Sequence, residues 1–327
     1  MEHVLNGITG RKFLVVGRVG MDFCPDPPGT SIEQGANFVA GMGGSSANIA
    51  AGLVKLGSEA ALVTCVSDDA VGAFCRHQLR SYGVGDAHVR TIQGEERTSL
   101  AVYESRVEGH QTVIYRNNAA DFRMDLQDVE AIDYGQFSAL ITAGTVFAAE
   151  PSRSATFRAF ELARAAGIPI IFDVDYRPYS WPSPEEAADV LSRAAALSDV
   201  IVGNDEEFGF MAGDIAKGKD KARDLARGAA SIVVYKMGPL GAVTYTGNTE
   251  ITTGIYPVTA LKPTGAGDSF MAGFLSGLAE NRPMREAILR GSACASIVVS
   301  KVGCAAAMPY PNDLEDFLAN HPGATEL

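Results

Sequence analysis

Short, wholly apolar runs alternate along this chain with longer stretches in which apolar residues recur every three or four positions, and that alternation leaves few folds open. The run Phe13-Leu14-Val15-Val16-Gly17 reads as a buried parallel strand. Residues 45–56 carry apolar side chains at helical spacing and stop at Gly57. The pattern then repeats. Strands are expected at 60–66, 138–143, 169–174, 200–202 and 232–235, and helices at 69–81, 152–166, 184–197, 266–278 and 284–299. Strands separated by helices predict a mainly parallel sheet covered on both faces, a three-layer α/β/α core. At 327 residues the chain is long enough for one large α/β domain or two smaller ones. We expect one, spanning 1–327. Two stretches break the alternation, at about 20–40 and 97–117. Their period-2 polarity, with no helix between them, predicts a small β-sheet lid on the core.

Charge and cysteine content narrow the surroundings. The net charge of −12 disfavours nonspecific binding to nucleic acid or anionic lipid. A small anionic substrate stays possible, because a few local arginines can overrule the global field. The five cysteines (Cys24, Cys65, Cys75, Cys294, Cys304) are odd in number and lack zinc-ligand spacing, so they read as free thiols of a reducing compartment. The first twelve residues have no apolar h-region, so no signal peptide is expected, and no run approaches the ~20 apolar residues of a membrane helix. These features together predict a cytoplasmic protein. Exposed lid strands would also invite edge-to-edge pairing of two copies, a homodimer.

The chemistry concentrates in Lys262-Pro263-Thr264-Gly265-Ala266-Gly267-Asp268-Ser269-Phe270, followed by an apolar helix. Glycines let backbone approach a ligand closely. A loop that opens a helix aims its N–H groups and the helix dipole at one spot, an anion hole suited to phosphoryl oxygens. Asp268, in the first turn, is placed to take a proton from an attacking hydroxyl. Phosphoryl transfer asks for little beyond alignment, charge stabilisation and a base. The same residues also suit a glycine-rich helix start with Asp268 as a capping-type residue, and spacing alone does not choose.

With Gly43-Gly44 and Asn48 upstream, Gly265-Ala266-Gly267-Asp268-Ser269-Phe270 resembles the two signatures of the ribokinase-like (PfkB) carbohydrate kinases, and the likeness runs in order through nearly the whole chain. It implies a ribokinase-like fold and phosphoryl transfer from ATP with Mg²⁺. It implies sugar-hydroxyl contacts from Asp22 and Asn48, close approach at Gly43 and Gly44, and a catalytic base at Asp268 within Gly265, Ala266 and Gly267. Asn204-Asp205-Glu206-Glu207 matches the family's N-x-x-E motif, so Asn204 and Glu207 would act near the nucleotide, Glu207 on the metal through water. Lys236, Gly238, Gly241, Thr264 and Gly267 would lie along the nucleotide. Each motif has a plainer reading: Gly43-Gly44 as a helix-entry turn, Asp22 as a turn residue, Asn204 and Glu207 as a capping box. Asp68-Asp69 reads as a helix start only.

Two arginines bear on the substrate. Arg116 ends a lid strand, and Arg177 follows a core strand, at the edge where open α/β sheets bind ligands. Arginine is the natural bidentate partner of a carboxylate, which a neutral hexose lacks. Both are also plausible as surface or lid-anchoring residues. The segments Asp175-Tyr176-Arg177-Pro178-Tyr179-Ser180-Trp181 and Tyr115-Arg116-Asn117-Asn118-Ala119-Ala120-Asp121, the stretch at 291–301, and Ala260-Leu261-Lys262 are similar to one branch of the family. Its members phosphorylate a keto-deoxygluconate. The implied reaction is transfer to the terminal hydroxyl of 5-dehydro-2-deoxy-D-gluconate, a step of inositol catabolism. The alternatives are 2-keto-3-deoxygluconate or a neutral sugar such as fructose. Many ribokinase-like enzymes carry an Asp at the position of Lys262 that helps hold an activating monovalent cation. An ammonium there would repel K⁺ or stand in for it.

Other classes fare worse. A sensor that has lost its chemistry would be expected to show a broken loop or missing base, and both are intact. A Rossmann dehydrogenase would want G-x-G-x-x-G, but the first strand leads into Gly17-Arg18-Val19-Gly20-Met21-Asp22. The five histidines are scattered, and no Walker A, H-E-x-x-H or G-x-S-x-G motif occurs.

Overall fold

The computed structural model describes residues 1–321, 323 and 324. The chain opens with helix α1 (Glu2–Ile8) and strand β1 (Lys12–Val16), then runs through β2 (Gly20–Asp26) and β3 (Asn37–Gly43) into α2 (Ser45–Lys55). Next come β4 (Glu59–Ser67), α3 (Ala70–Ser81), β5 (Val89–Ile92), β6 (Leu100–Tyr103) and β7 (Thr112–Tyr115). The central part holds α4 (Leu126–Glu130), β8 (Ala139–Ala143), α5 (Ser152–Ala165), β9 (Ile170–Asp173), α6 (Pro184–Ala196) and β10 (Val200–Asn204). It is followed by α7 (Asp205–Met211), α8 (Gly218–Gly228), β11 (Ile232–Lys236), β12 (Ala242–Thr246) and β13 (Thr249–Thr253). The last elements are α9 (Ala266–Ala279), α10 (Met284–Val299) and α11 (Pro311–Asn320).

Nine strands form one sheet in the order β13-β12-β11-β10-β9-β8-β1-β4-β5. From β11 to β5 the pairings are parallel, and β12 and β13 add an antiparallel edge. The alternation of side chains explains the two covered faces. Phe13, Val15, Val200, Val202, Ile232 and Val234 enter one core with α2, α9 and α10. Their neighbours Leu14, Val16, Ile201 and Val233 enter the other, with α5, α6 and α8. The expected three-layer architecture is the one observed. Successive parallel strands spread both ways from β1 and β8, which makes that junction the topological switch point where a cleft opens beyond the strands' C-terminal ends.

The residues read as a lid form a second sheet, ordered β3-β2-β6-β7. Its β2–β6 pairing is parallel and the other two are antiparallel. β3 runs on to Gly43, past the expected limit at 40, and delivers the chain directly to α2. Its first half is exposed, with Val39 at 52%. No described helix is long and apolar enough to cross a membrane. The five cysteines are unpaired and buried.

Candidate active site

Four chain segments meet over the C-terminal ends of the strands. The first is the loop into α9. Gly265 caps this helix at φ +85°, a left-handed conformation that a side chain would oppose. Ala266 N donates to the Pro263 carbonyl at 3.3 Å, and the turn leaves the N–H groups of Gly267 and Asp268 without an intrahelical partner. Ser269 Oγ donates to Gly265 O at 2.8 Å and steadies the turn. Asp268 stands in the first turn, partly buried, and its Oδ2 accepts from Asn48 Nδ2 at 2.8 Å. Burial, and then the charge of Asp175, push the Asp268 carboxyl up to about 6 against Asn48, Arg177 and Lys236. A carboxylate tuned to that value is a competent proton acceptor near neutral pH.

The second segment joins β2 to α2. Asp22, on β2, is 8% exposed, and burial raises it to about 6 against the nearby Arg18 and Lys262. Gly43 is required opposite it, because a Cβ there would lie 1.9 Å from Asp22 Oδ1. Gly44 caps α2, which presents Asn48 one turn in. Asp22 Oδ1 and Asn48 Oδ1 are buried with no hydrogen-bond partner among the described residues. Two orphaned acceptors beside a candidate base call for donors, and sugar hydroxyls are donors of the right kind.

The third segment follows β9. Arg177 pairs with Asp175 through Nη2 at 2.7 Å and donates from Nη1 to the Tyr176 carbonyl at 3.1 Å, while 44% of its side chain stays exposed. Asp175 reinforces the positive charge of Arg177. Asp173, at the end of β9, is 3% exposed. Burial raises its carboxyl well above the usual range against Lys236, and Glu207, Asp175 and Asp268 add to the rise. Arg116 is placed differently. It is buried, with Nε and Nη2 on Asp121 Oδ2 at 3.1 and 2.5 Å and Nη1 on Thr145 O at 3.0 Å. Its guanidinium lies 4.1 Å from the Phe122 ring centroid. It anchors the segment after β7, and it also lines a cleft with Asn117, Tyr179 and Ser180.

The fourth comprises the ends of β10 and β11. Asn204 and Glu207 close a capping box on α7, Asn204 Oδ1 accepting from Glu207 N at 2.8 Å and Glu207 Oε2 from Asn204 N at 2.7 Å. Glu207 Oε1 accepts from Tyr176 N at 3.3 Å, so this carboxylate fixes the start of α7 and the loop after β9 together. The plainer reading of the motif therefore holds alongside the functional one. Lys236 ends β11 with its ammonium toward the loop, 3.4 Å from where a Cβ of Gly267 would stand. Gly238 and Gly241 flank the following turn, where both have positive φ. Among the described residues no cluster of three metal ligands occurs.

Lys262 is wholly buried, and its ammonium donates to the Thr264 carbonyl inside the loop. Burial pushes its pKa down, while Cys304, Asp268, Cys24 and Asp22 oppose that fall. The sequence places Lys262 at the loop but does not fix where its side chain goes. Asp173, Asp175, Ser45 and Arg18 also belong to this site and carry no motif of their own. The strand-end argument that found Arg177 applies equally to the two aspartates before it.

A buried carboxylate at a glycine-rich helix start, a facing lysine and orphaned acceptors, all at the switch point of a parallel sheet, suit phosphoryl transfer to a small molecule. Residues 11–311 match the pfkB family carbohydrate kinase model. A 5-dehydro-2-deoxygluconokinase of Geobacillus kaustophilus is 37% identical over 314 residues, covering 94% of each chain. One from Photobacterium profundum is 35% identical over 310 residues, covering 93% of this chain and 94% of its own. Among solved structures, a double mutant of the Vibrio cholerae fructokinase, with fructose, ADP and potassium ion bound, superposes with a TM-score of 0.83. It is 26% identical and covers 94% of this chain and 98% of its own. The chain belongs to the pfkB family of carbohydrate kinases.

Proposed function

We propose that this kinase phosphorylates the terminal hydroxyl of 5-dehydro-2-deoxy-D-gluconate, using MgATP, as a step of inositol catabolism. The observation that carries the reading is Asp268, bonded to Asn48 beside two orphaned acceptors, with the partly exposed Arg177 held by Asp175 nearby. Full-length relatives that bear the name of this activity support the choice of acid. The test is ADP release: turnover with the keto acid and none above background with fructose, ribose or adenosine is the expected result.

The residues fit a nucleotide. The N-terminus of α9 at Gly265, Ala266 and Gly267, with Lys236 facing Gly267, suits phosphate oxygens. Thr264, Gly238, Gly241 and Asn204 would border the same ligand, with Glu207 reaching Mg²⁺ through water. When bound, MgATP supplies the γ-phosphoryl group, with the metal neutralising its charge. This chain's residues do the rest. Asp22 and Asn48 accept from the sugar hydroxyls, and Gly43 and Gly44 let the sugar come close. Arg177 takes the carboxylate, with Arg116 on the far side of the cleft. Asp268 receives the proton of the terminal hydroxyl as its oxygen attacks. The small sheet acts as a lid that excludes water, a competing acceptor. A homodimer paired through the exposed strands of that sheet and a cytoplasmic location belong to the same reading, with the unpaired thiols in support of the latter.

Lys262 places a fixed cation in the loop, whereas the Vibrio cholerae relative carries a potassium ion. The rate is therefore expected to stay the same when K⁺ is replaced by tetramethylammonium in the assay. A many-fold fall would show that a soluble cation is still needed.

A further inference from the structure

Asp175 enters no step described so far, yet it is heavily constrained. It is 4% exposed and sits at φ +36°, in the left-handed region that costs a non-glycine residue strain. Three segments satisfy its carboxylate. Oδ1 holds Arg177 Nη2 at 2.7 Å, and Oδ2 accepts from Ser45 Oγ at 2.7 Å and from Thr145 Oγ1 at 3.5 Å. Ser45 begins α2, directly after Gly43 and Gly44 and three residues before Asn48. One carboxylate thus ties the carboxylate-binding arginine to the helix that carries the partner of the base.

We propose that Asp175 is a positioning residue of the reaction: it fixes Arg177 and the start of α2, the helix whose Asn48 holds Asp268. The inference rests on the reading of Asp268 as the base. The charge of Asp175 supports the same role, being the largest contributor after burial to the raised pKa of Asp268. Burial opposes the ionisation of Asp175, but Arg177, the Ser45 hydroxyl, Arg18 and Arg116 outweigh burial and hold it below the ordinary carboxylate range. It therefore stays ionised throughout the working pH range. The groups facing Asp268 are Asp175 and Arg177 after β9, Asp173 on β9, Lys236 on β11, Lys262 and Cys304 beside the loop, and the neutral Asn48 on α2. Asp22, which titrates in the same range, is faced by Arg18 and Lys262.

The sign follows directly. Removing a neighbouring negative charge stabilises the ionised form of Asp268, so its pKa falls and the pH below which activity is lost falls with it. The test is the acid limb of kcat/KM for the sugar acid in wild type, Asp175→Asn and Asp175→Gly. Both replacements accept a positive φ, and Asn keeps an oxygen acceptor for Ser45. The wild-type limb is expected near pH 6. In both variants it should move down by about half to one pH unit, with kcat at the plateau several-fold lower because a less basic carboxylate accepts the proton less readily. A limb unmoved in both variants, or loss of the fold in both, would make Asp175 structural only and overturn the inference, provided Asp268→Asn is nearly inactive. An Asp268→Asn enzyme with an unchanged profile would instead remove the base reading on which the inference stands.

Discussion

Replacing Asp268 by Asn is expected to lower kcat by ~10²–10⁴ and leave the fold intact, the usual range for loss of a general base. The change is nearly isosteric. The Asn carbonyl oxygen can still accept from Asn48 Nδ2, so the first turn of α9 keeps its contact. What disappears is the proton acceptor. The deleted charge also carries a burial penalty, shown by a pKa pushed up to about 6, so unfolding experiments should show no loss of stability. KM for ATP should change little, because the loop N–H groups and Lys236 are untouched. Steady-state kinetics beside a melting curve separates the two effects. Near wild-type kcat would mean that water or another carboxylate, Asp22 being the nearest in character, takes the proton.

The second large effect is expected at Arg177. Arg177→Ala should raise KM for the sugar acid by about 10- to 100-fold, which corresponds to the ~1.5–3 kcal/mol of a charge-assisted hydrogen bond. KM for ATP should stay within about twofold, since the proposed arrangement sets Arg177 against the sugar acid and not the nucleotide. Exposure and the standing pair with Asp175 argue against a larger effect, because water and that carboxylate already compete for the guanidinium. Arg177→Lys should fall between, keeping the charge and losing the two-pronged geometry. Equal losses for the acid and for ATP would mean that the side chain only holds the loop after β9. Arg116 makes a useful contrast. Its donors are engaged by Asp121 and Thr145, so Arg116→Ala acts first through stability.

The layers of the fold were legible because each strand and helix of the core carries its own period. Phe13 to Val16 are apolar on both sides, as a strand buried between helices must be, and α2, α5, α6, α9 and α10 began and ended within a residue or two of expectation. What escaped notice has physical reasons. The buried residues of α8 are two alanines and a glycine, so its apolar stripe is too faint to stand out among Lys, Asp and Arg. β5 is four residues long with only its ends buried. The β12–β13 hairpin does have a local signal, since Thr246-Gly247-Asn248-Thr249 forms a two-residue turn with Gly247 at φ +58°. In the site, Asp268, Asn48 and Arg177 follow from loop chemistry and strand-end placement. Lys262 and Asp175 do not, because burial of a charged side chain depends on what other segments bring to it. Asp22 and Cys24 on β2 and Cys304 beyond α10 reach Lys262 from far along the chain, and Ser45 and Thr145 reach Asp175 in the same way.

The most direct test of the whole account is a coupled ADP-release assay with MgATP, run on 5-dehydro-2-deoxy-D-gluconate, 2-keto-3-deoxygluconate, fructose, ribose and adenosine at matched concentrations. The account predicts turnover that is strong on the first acid, weak on the second and at background on the neutral compounds. Preferential turnover of fructose or another neutral sugar would contradict it, leaving a carbohydrate kinase whose Arg177 serves some purpose other than a carboxylate.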